Sequence, residues 1–330
     1  MMLGGDNMRA ILVTGGAGFI GSNFIRYFLR RNTGFVVINL DKLTYAGNLN
    51  NLKDIEYSPR YHFIKGDICN YELVNYILRR YKPEVIINFA AESHVDRSID
   101  NPSAFAETNV MGTLSLLDNI RQLWGKSGLR GKRFLQVSTD EVYGSLDQSD
   151  NFSTEESNLL PNSPYSASKA AADLMIRSYY RTFKLPVIVT RCCNNYGPYQ
   201  HPEKFIPKCI TSALKDIPIP IYGDGMNRRE WIYVLDHCTA LIKAIFYGKP
   251  GEIYNIGTGY EISNLDLARK ILKQLGKPQD RIEFIKDRPG HDLRYALNSG
   301  KSRLKLNWRA DVGFEEGLHQ TVSWYKKNPD

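Results

Sequence analysis

The chain is short of what a membrane-spanning, disulfide-bonded, metal-bound or polynucleotide-binding protein needs. No stretch approaches the roughly 18 uninterrupted apolar residues that a bilayer-spanning helix requires. Cysteine is scarce. The five residues at 69, 192, 193, 209 and 238 are odd in number and form no C-x-x-C pair, so they read as small core residues in a reducing, cytoplasmic compartment. Residues 1–7 offer neither a basic start nor an apolar run, so no secretory signal is expected there. Met8, directly before the first strand, reads as an alternative start, with the seven residues ahead of it expected to be disordered. His94, His201, His237 and the other histidines share no ligand spacing, and no metal is expected. Basic runs are no longer than Arg228-Arg229 or Lys326-Lys327. The net charge of +8 would suit an anionic small substrate or a nucleic acid, but without a basic stripe or a nucleic-acid motif no polynucleotide partner is expected. No internal repeat or low-complexity tract occurs.

What is present is an α/β rhythm over 330 residues that are 42% hydrophobic, enough for one large core or two units sharing an interface. A short apolar strand over 9–14 runs into Gly15-Gly16-Ala17-Gly18-Phe19-Ile20-Gly21, and a helical pattern follows to about Arg31. Glycine at 15, 18 and 21 lets the backbone turn tightly, approach a pyrophosphate and pack the helix on the strand, with the helix N-terminus facing the phosphates. A second strand over 35–40 ends in Asp41, twenty residues after Gly21, where a carboxylate takes the adenosine ribose hydroxyls. Strand, glycines, helix and acid in that order predict dinucleotide binding. Asp41 repels a 2′-phosphate and favours NAD over NADP, an effect tempered by Lys42.

The rhythm continues. A third strand over 61–65 ends in Gly66-Asp67-Ile68, placed to flank the adenine, and a helix is expected over 70–81. A fourth strand over 84–89 ends in Ala90-Ala91, small enough to leave room for the cofactor, and one long helix is expected from about Asn101 to Trp124. The fifth strand, Phe134-Leu135-Gln136-Val137, delivers Ser138-Thr139-Asp140-Glu141-Val142-Tyr143-Gly144 to the carboxyl end of a sheet, where open α/β folds bind ligands. Two adjacent carboxylates there read either as an acid and a base or as a helix N-cap and first-turn charge. They serve one substrate only if the strand has already broken into a turn, which Gly144 permits. After a polar stretch over 147–163, Tyr165 and Lys169 lie four apart on one helical face running to about Thr182. An ammonium there stabilises a phenolate and draws its pKa towards neutrality. Alone, such a pair is more often a solvated surface; downstream of a dinucleotide fingerprint it reads as a catalytic base.

These features together, Gly15-x-x-Gly18-x-x-Gly21, Asp41 and Tyr165-x-x-x-Lys169, resemble the extended short-chain dehydrogenase/reductase superfamily. Within it, the heptapeptide over 138–144 is similar to the dTDP-glucose 4,6-dehydratase family. So are the blocks over 41–48, 92–98, 190–200 and 287–292. Relatives that epimerise typically lack the Asp-Glu pair, and decarboxylases and GDP-mannose dehydratases keep the Glu alone. The alternative is therefore another sugar-nucleotide enzyme of the superfamily, a 4-epimerase or a decarboxylase.

The resemblance implies a Rossmann-type doubly wound parallel sheet with a smaller C-terminal substrate-binding domain: 8–198 plus about 232–262 for NAD, and about 199–231 plus 263–330 for the sugar nucleotide. It implies that NAD is held by Gly15, Gly18, Phe19, Ile20, Gly21, Asp41, Lys42, Leu43, Thr44, Asp67, Ile68, Phe89, Ala90, Ala91, Ser93, Thr108, Tyr165, Lys169 and Asn195. The substrate would be held by Ser93, Thr139, Asp140, Glu141, Asn194, Lys204, Phe205, Pro220, Tyr222, Arg229, Asn264, Arg288 and His291. Catalysis would fall to Thr139, Asp140, Glu141, Tyr165 and Lys169, oxidising C4, eliminating water across C5–C6 and reducing C6. A homodimer is implied, pairing the helices after about Asn101 and Tyr165 into a four-helix bundle.

Overall fold

The computed structural model describes residues 8–147 and 152–328. The seven residues ahead of Met8, and 148–151 of the polar stretch, lie outside them. In chain order the strands are β1 (Arg9–Thr14), β2 (Phe35–Asp41), β3 (Tyr61–Lys65), β4 (Val85–Asn88), β5 (Arg133–Thr139), β6 (Val187–Cys192), β7 (Asn194–Tyr196), β8 (Ile219–Tyr222), β9 (Arg228–Tyr233), β10 (Ile253–Ile256), β11 (Glu261–Ser263) and β12 (Ile282–Ile285).

Seven of them make one sheet in the order β10-β6-β5-β4-β1-β2-β3. Every pairing in it is parallel. Parallel sheets are covered on both faces, which is why these strands are nearly continuous apolar runs rather than alternating ones. Side chains still alternate in direction. Ile11 and Val13 enter a core with Phe24, Phe28, Leu241 and Ala244 on one side of the sheet, while Ala10 and Leu12 join Val74, Ile77, Leu116 and Ile176 on the other. The strand order reverses between β1 and β4, and a crevice opens beyond their carboxyl ends. The doubly wound parallel sheet is the one expected.

A third apolar cluster, with Tyr196, Ile206, Ile210, Trp231, Leu267, Ile271 and Leu318, lies under two small sheets ordered β11-β9-β7 and β12-β8. It is built from the helices Phe205–Leu214, Asn264–Leu275 and Phe314–Lys327 together with β7 to β9.

One expected element is different. The long helix over 101–124 starts where expected, at Pro102 after the cap Asn101, but is divided into Pro102–Phe105, a π-helical stretch Ala106–Gly112, and Thr113–Ser127, and a separate short helix, Val95–Asp100, precedes it. Asn101 leaves helical geometry at φ −139°, and Pro102 starts the next turn at the position where its missing N–H costs nothing. The π stretch turns the Asn109 amide onto three partners: it accepts from Glu92 N at 2.9 Å and donates to Glu92 O at 3.0 Å and Ser168 Oγ at 2.8 Å. That links the segment after β4 to the helix Pro164–Phe183.

Candidate active site

The crevice is a cavity of about 640 Å³, within the size range of small-molecule sites. Its wall takes in every residue expected to hold cofactor or substrate except Leu43 and Asp140.

At one end the glycines form a cradle. Gly15 sits at φ +69°, and a Cβ there would lie 2.6 Å from Ala90 N. A Cβ on Gly21 would lie 2.4 Å from Gly15 O. The helix Phe19–Arg31 begins with Gly18, has no side-chain cap and no acid in its first turn, so its N-terminus is left for an external anion. Asp41 closes β2 and accepts from Ala17 N and Leu43 N, each at 2.8 Å. Leu43 thus orients the acid from a left-handed turn, φ 58°, rather than touching the cavity. Lys42 does not temper Asp41 as expected, because its ammonium pairs with Asp67 at 2.6 Å. One negative charge remains in the trio, and it disfavours a 2′-phosphate. The residues present fit an NAD dinucleotide.

At the other end β5 stops at Thr139, and Asp140–Tyr143 makes one turn of 3₁₀ helix. Gly144 ends it at φ +81°, where a Cβ would lie 2.1 Å from Leu160 O. The reading as cap and first-turn charge holds in part. The cap is Thr139, whose hydroxyl accepts from Glu141 N at 3.3 Å and donates to Asp140 Oδ1 at 3.2 Å, and the two acids occupy the first turn. The turn separates them. Glu141 lines the cavity; Asp140 is 2% exposed, lies behind the wall, and its Oδ2 has no hydrogen-bond partner. Burial, then Glu141 and Glu230, raise the Asp140 carboxyl well above the usual range. Burial also raises Glu141, with Arg229, Arg288 and Lys204 pulling it down.

Tyr165 corrects an expectation. Burial, Glu141 and Cys192 hold its phenol well above its ordinary value, and a hydrogen bond with Thr139 pulls the other way. Lys169, itself lowered by burial, donates to Val137 O at 2.7 Å.

The remaining wall is cationic and aromatic. Lys204 Nζ donates to Ser93 O at 2.8 Å, and Arg229 Nη2 donates to Asp292 O at 2.9 Å. Arg288 pairs with Asp96 at 3.3 Å, and the Tyr222 hydroxyl donates to the same carboxylate at 3.3 Å. His291 meets Asp287 at 2.6 Å. Asn194 and Asn195 stand at β7, where Asn195 Oδ1 meets His237 Nδ1 at 2.8 Å. The sequence reading gave no role to Asp96, Trp231 or Tyr295, which also line the cavity. Asp96 was within reach, since it falls in the block over 92–98. Trp231 and Tyr295 carry no local signal, because tertiary packing alone brings them here. Among the described residues no cluster of His, Cys, Asp and Glu could hold a metal ion.

Sheet, cradle and Tyr-x-x-x-Lys face define an extended short-chain dehydrogenase/reductase. The family described as GDP-mannose 4,6 dehydratase matches residues 12–321. The chain is 47% identical to a dTDP-glucose 4,6-dehydratase of Xanthomonas campestris pv. campestris, over 97% of this chain and 94% of the relative. It is 50% identical to a low-salt glycan biosynthesis protein of Haloferax volcanii, over 96% and 98%. Among solved structures, a dTDP-glucose 4,6-dehydratase of Streptomyces venezuelae with NAD and TYD bound superposes at a TM-score of 0.91, with 48% identity and 97% of each chain covered. The chain belongs to the dTDP-glucose 4,6-dehydratase family.

Proposed function

We infer that the protein is a hydro-lyase that uses NAD to convert dTDP-glucose to dTDP-4-keto-6-deoxy-glucose. The observation that carries this is the meeting, in one cavity, of the Thr139-Asp140-Glu141 turn with the Tyr165–Lys169 helix face. Relatives named for this reaction cover nearly the whole chain. Bound NAD supplies the acceptor for the C4 hydride and the donor for C6, and ends unchanged. Gly15, Gly18 and Gly21 would hold its pyrophosphate at the helix N-terminus, and Asp41 its ribose.

The chain's own groups divide the proton work. Tyr165 takes the proton of the 4-hydroxyl, and Thr139 hydrogen-bonds that oxygen. A phenol raised by burial needs positive charge beside it to act as a base, and Lys169, one helical turn on, is the group to supply it. The 4-ketone acidifies C5–H, and Glu141, on the wall with three cations around it, removes that proton. Asp140, kept protonated by burial and by Glu141 and Glu230, gives its proton to the departing C6 hydroxyl. Because Asp140 lies behind the wall, this role requires the 3₁₀ turn to bring its carboxyl into the cavity. Lys204, Arg229, Arg288 and His291 hold the diphosphate, for which the planar guanidinium is suited.

The chain divides into an NAD-binding unit, 8–198 with about 232–262, and a substrate unit, 199–231 with 263–330. The separate apolar cluster beneath the small sheets supports that division. It works as a homodimer through the helices that carry Met111 and Leu174, both 55% exposed. It resides in the cytoplasm, in keeping with five free cysteines. No described helix is long and apolar enough to cross a membrane.

The test is to give the purified protein, without added NAD, dTDP-glucose and separately UDP-glucose, and to follow product by mass and by alkaline absorbance. Loss of one water from dTDP-glucose is expected. Epimerisation or decarboxylation of either sugar in place of dehydration overturns the reading.

A further inference from the structure

The helix Pro164–Phe183 buries a polar side chain at every fourth position: Tyr165, Lys169 and then Asp173. That spacing places the three along one face. The first two have roles in the reaction; the third has none. Asp173 Oδ2 accepts from Arg191 Nε at 2.9 Å, and the two side chains are 1% and 3% exposed. A buried ion pair is poor support for stability, because desolvating two charges offsets their attraction and an apolar pair of the same volume does as well. The surroundings of this pair point to another use. Arg191 lies on β6 in register with Ser138 on β5, the residue before Thr139, and with Asn255 on β10. Its guanidinium carbon stands 4.8 Å from the centroid of the Tyr143 ring, and the Tyr143 hydroxyl donates to Asn255 Oδ1 at 2.7 Å. Tyr143 is the last residue of the turn that carries Asp140 and Glu141.

We propose that Asp173 and Arg191 are positioning residues: with Tyr143 stacked on it, the pair locks the helix carrying Tyr165 and Lys169 to the turn carrying Asp140 and Glu141. Oxidation at C4 and elimination across C5–C6 are then held in one geometry on a single substrate. This rests on the assignment of those four residues to the reaction. Both sides of the lock are rigid. One is β6, paired on both of its edges, with β5 and with β10; the other is a twenty-residue helix closed at its start by the Ser163–Ser166 capping box. Only a planar cation donates to the carboxylate while lying on the ring, so an ammonium at 191 keeps the charge and loses the stack.

The experiment uses the holoenzyme with Arg191→Lys and, separately, the charge-free double variant Asp173→Leu with Arg191→Met. Melting temperature, KM and kcat are measured for each. The expected result is a melting temperature within a few degrees of wild type, KM within about twofold, and kcat at least tenfold lower in both. A pair that only stabilised the fold would not give that split. A folded variant with wild-type kcat, or one in which kcat falls only in step with melting temperature, overturns the proposal. Should the double variant fail to fold, Arg191→Lys decides alone. Tyr165→Phe and Glu141→Gln run beside them: if these keep full turnover, the assignment of the reacting groups has failed, whatever position 191 reports.

Discussion

Glu141 and Tyr165 share one cavity but answer to different steps, so single substitutions separate them. Glu141→Gln keeps the shape of the wall and removes the base. It is expected to form NADH on mixing with dTDP-glucose while dehydration slows by about a hundredfold or more, the usual worth of a positioned general base. Stopped-flow absorbance against product mass reads both, and normal dehydration in this variant would show that another group takes the C5 proton. Tyr165→Phe should block the first step and show neither NADH nor product. Asp140 adds a pH signature. Its carboxyl is raised in the folded state, chiefly by burial, so the folded chain binds that proton more tightly than the unfolded one. Stability from this residue is therefore whole at or below the ordinary carboxylate pKa of about 4 and falls as pH rises toward the raised value. Asp140→Asn removes that dependence. Melting curves of the two proteins should run together near pH 4 and separate toward neutrality, with the variant the more stable and dehydrating slowly. Parallel curves at all pH values would mean that Asp140 is ionised in the fold.

At the scale of elements, what could be read in the sequence follows from length and covering. The strands of the parallel sheet are largely buried, so most are apolar runs bounded by turn residues, and the first five in chain order, β1 to β5, were legible. The glycine cradle was legible too, because only glycine tolerates both the φ of +69° at position 15 and the approach at position 21. Strands β7 and β11 were not, since three residues leave no period to detect, and neither was β12, whose four residues are only partly covered. The helix start near Asn101 was legible; the π stretch had no signal, being fixed by what Asn109 bonds in space. Two predictions belong here. Gly21→Ala forces a Cβ against Gly15 O and should strip the cofactor during purification, visible as a lower ratio of absorbance at 260 to 280 nm. Asn109→Ala leaves the Glu92 backbone and Ser168 short of partners and should cost about 1–3 kcal/mol in denaturant unfolding; a loss within 0.5 kcal/mol would mean the π stretch stands without it.

Across the described residues, part of the apolar surface left uncovered lies on the elements that build the site. Met111 sits in the π stretch whose Asn109 reaches Ser168, and Leu174 follows Asp173 on the helix of Tyr165 and Lys169. Large side chains left more than half exposed on neighbouring elements are what a partner surface consists of. A two-fold axis would bring the same patch of both protomers together, so acids at both positions put like charges on the two facing surfaces, and both lose water. Met111→Glu with Leu174→Glu is thus expected to turn a dimer into a monomer in sedimentation equilibrium, while leaving the core of either protomer untouched. The site adds a second readout. The helix Pro164–Phe183 would be held on its inner side by the sheet and on its outer side by the partner, so the monomer should retain NAD, which the glycine cradle of one chain holds, yet turn over more slowly. A double variant that stays dimeric places the interface elsewhere. One that is monomeric and fully active shows that each protomer fixes its own catalytic helix without help.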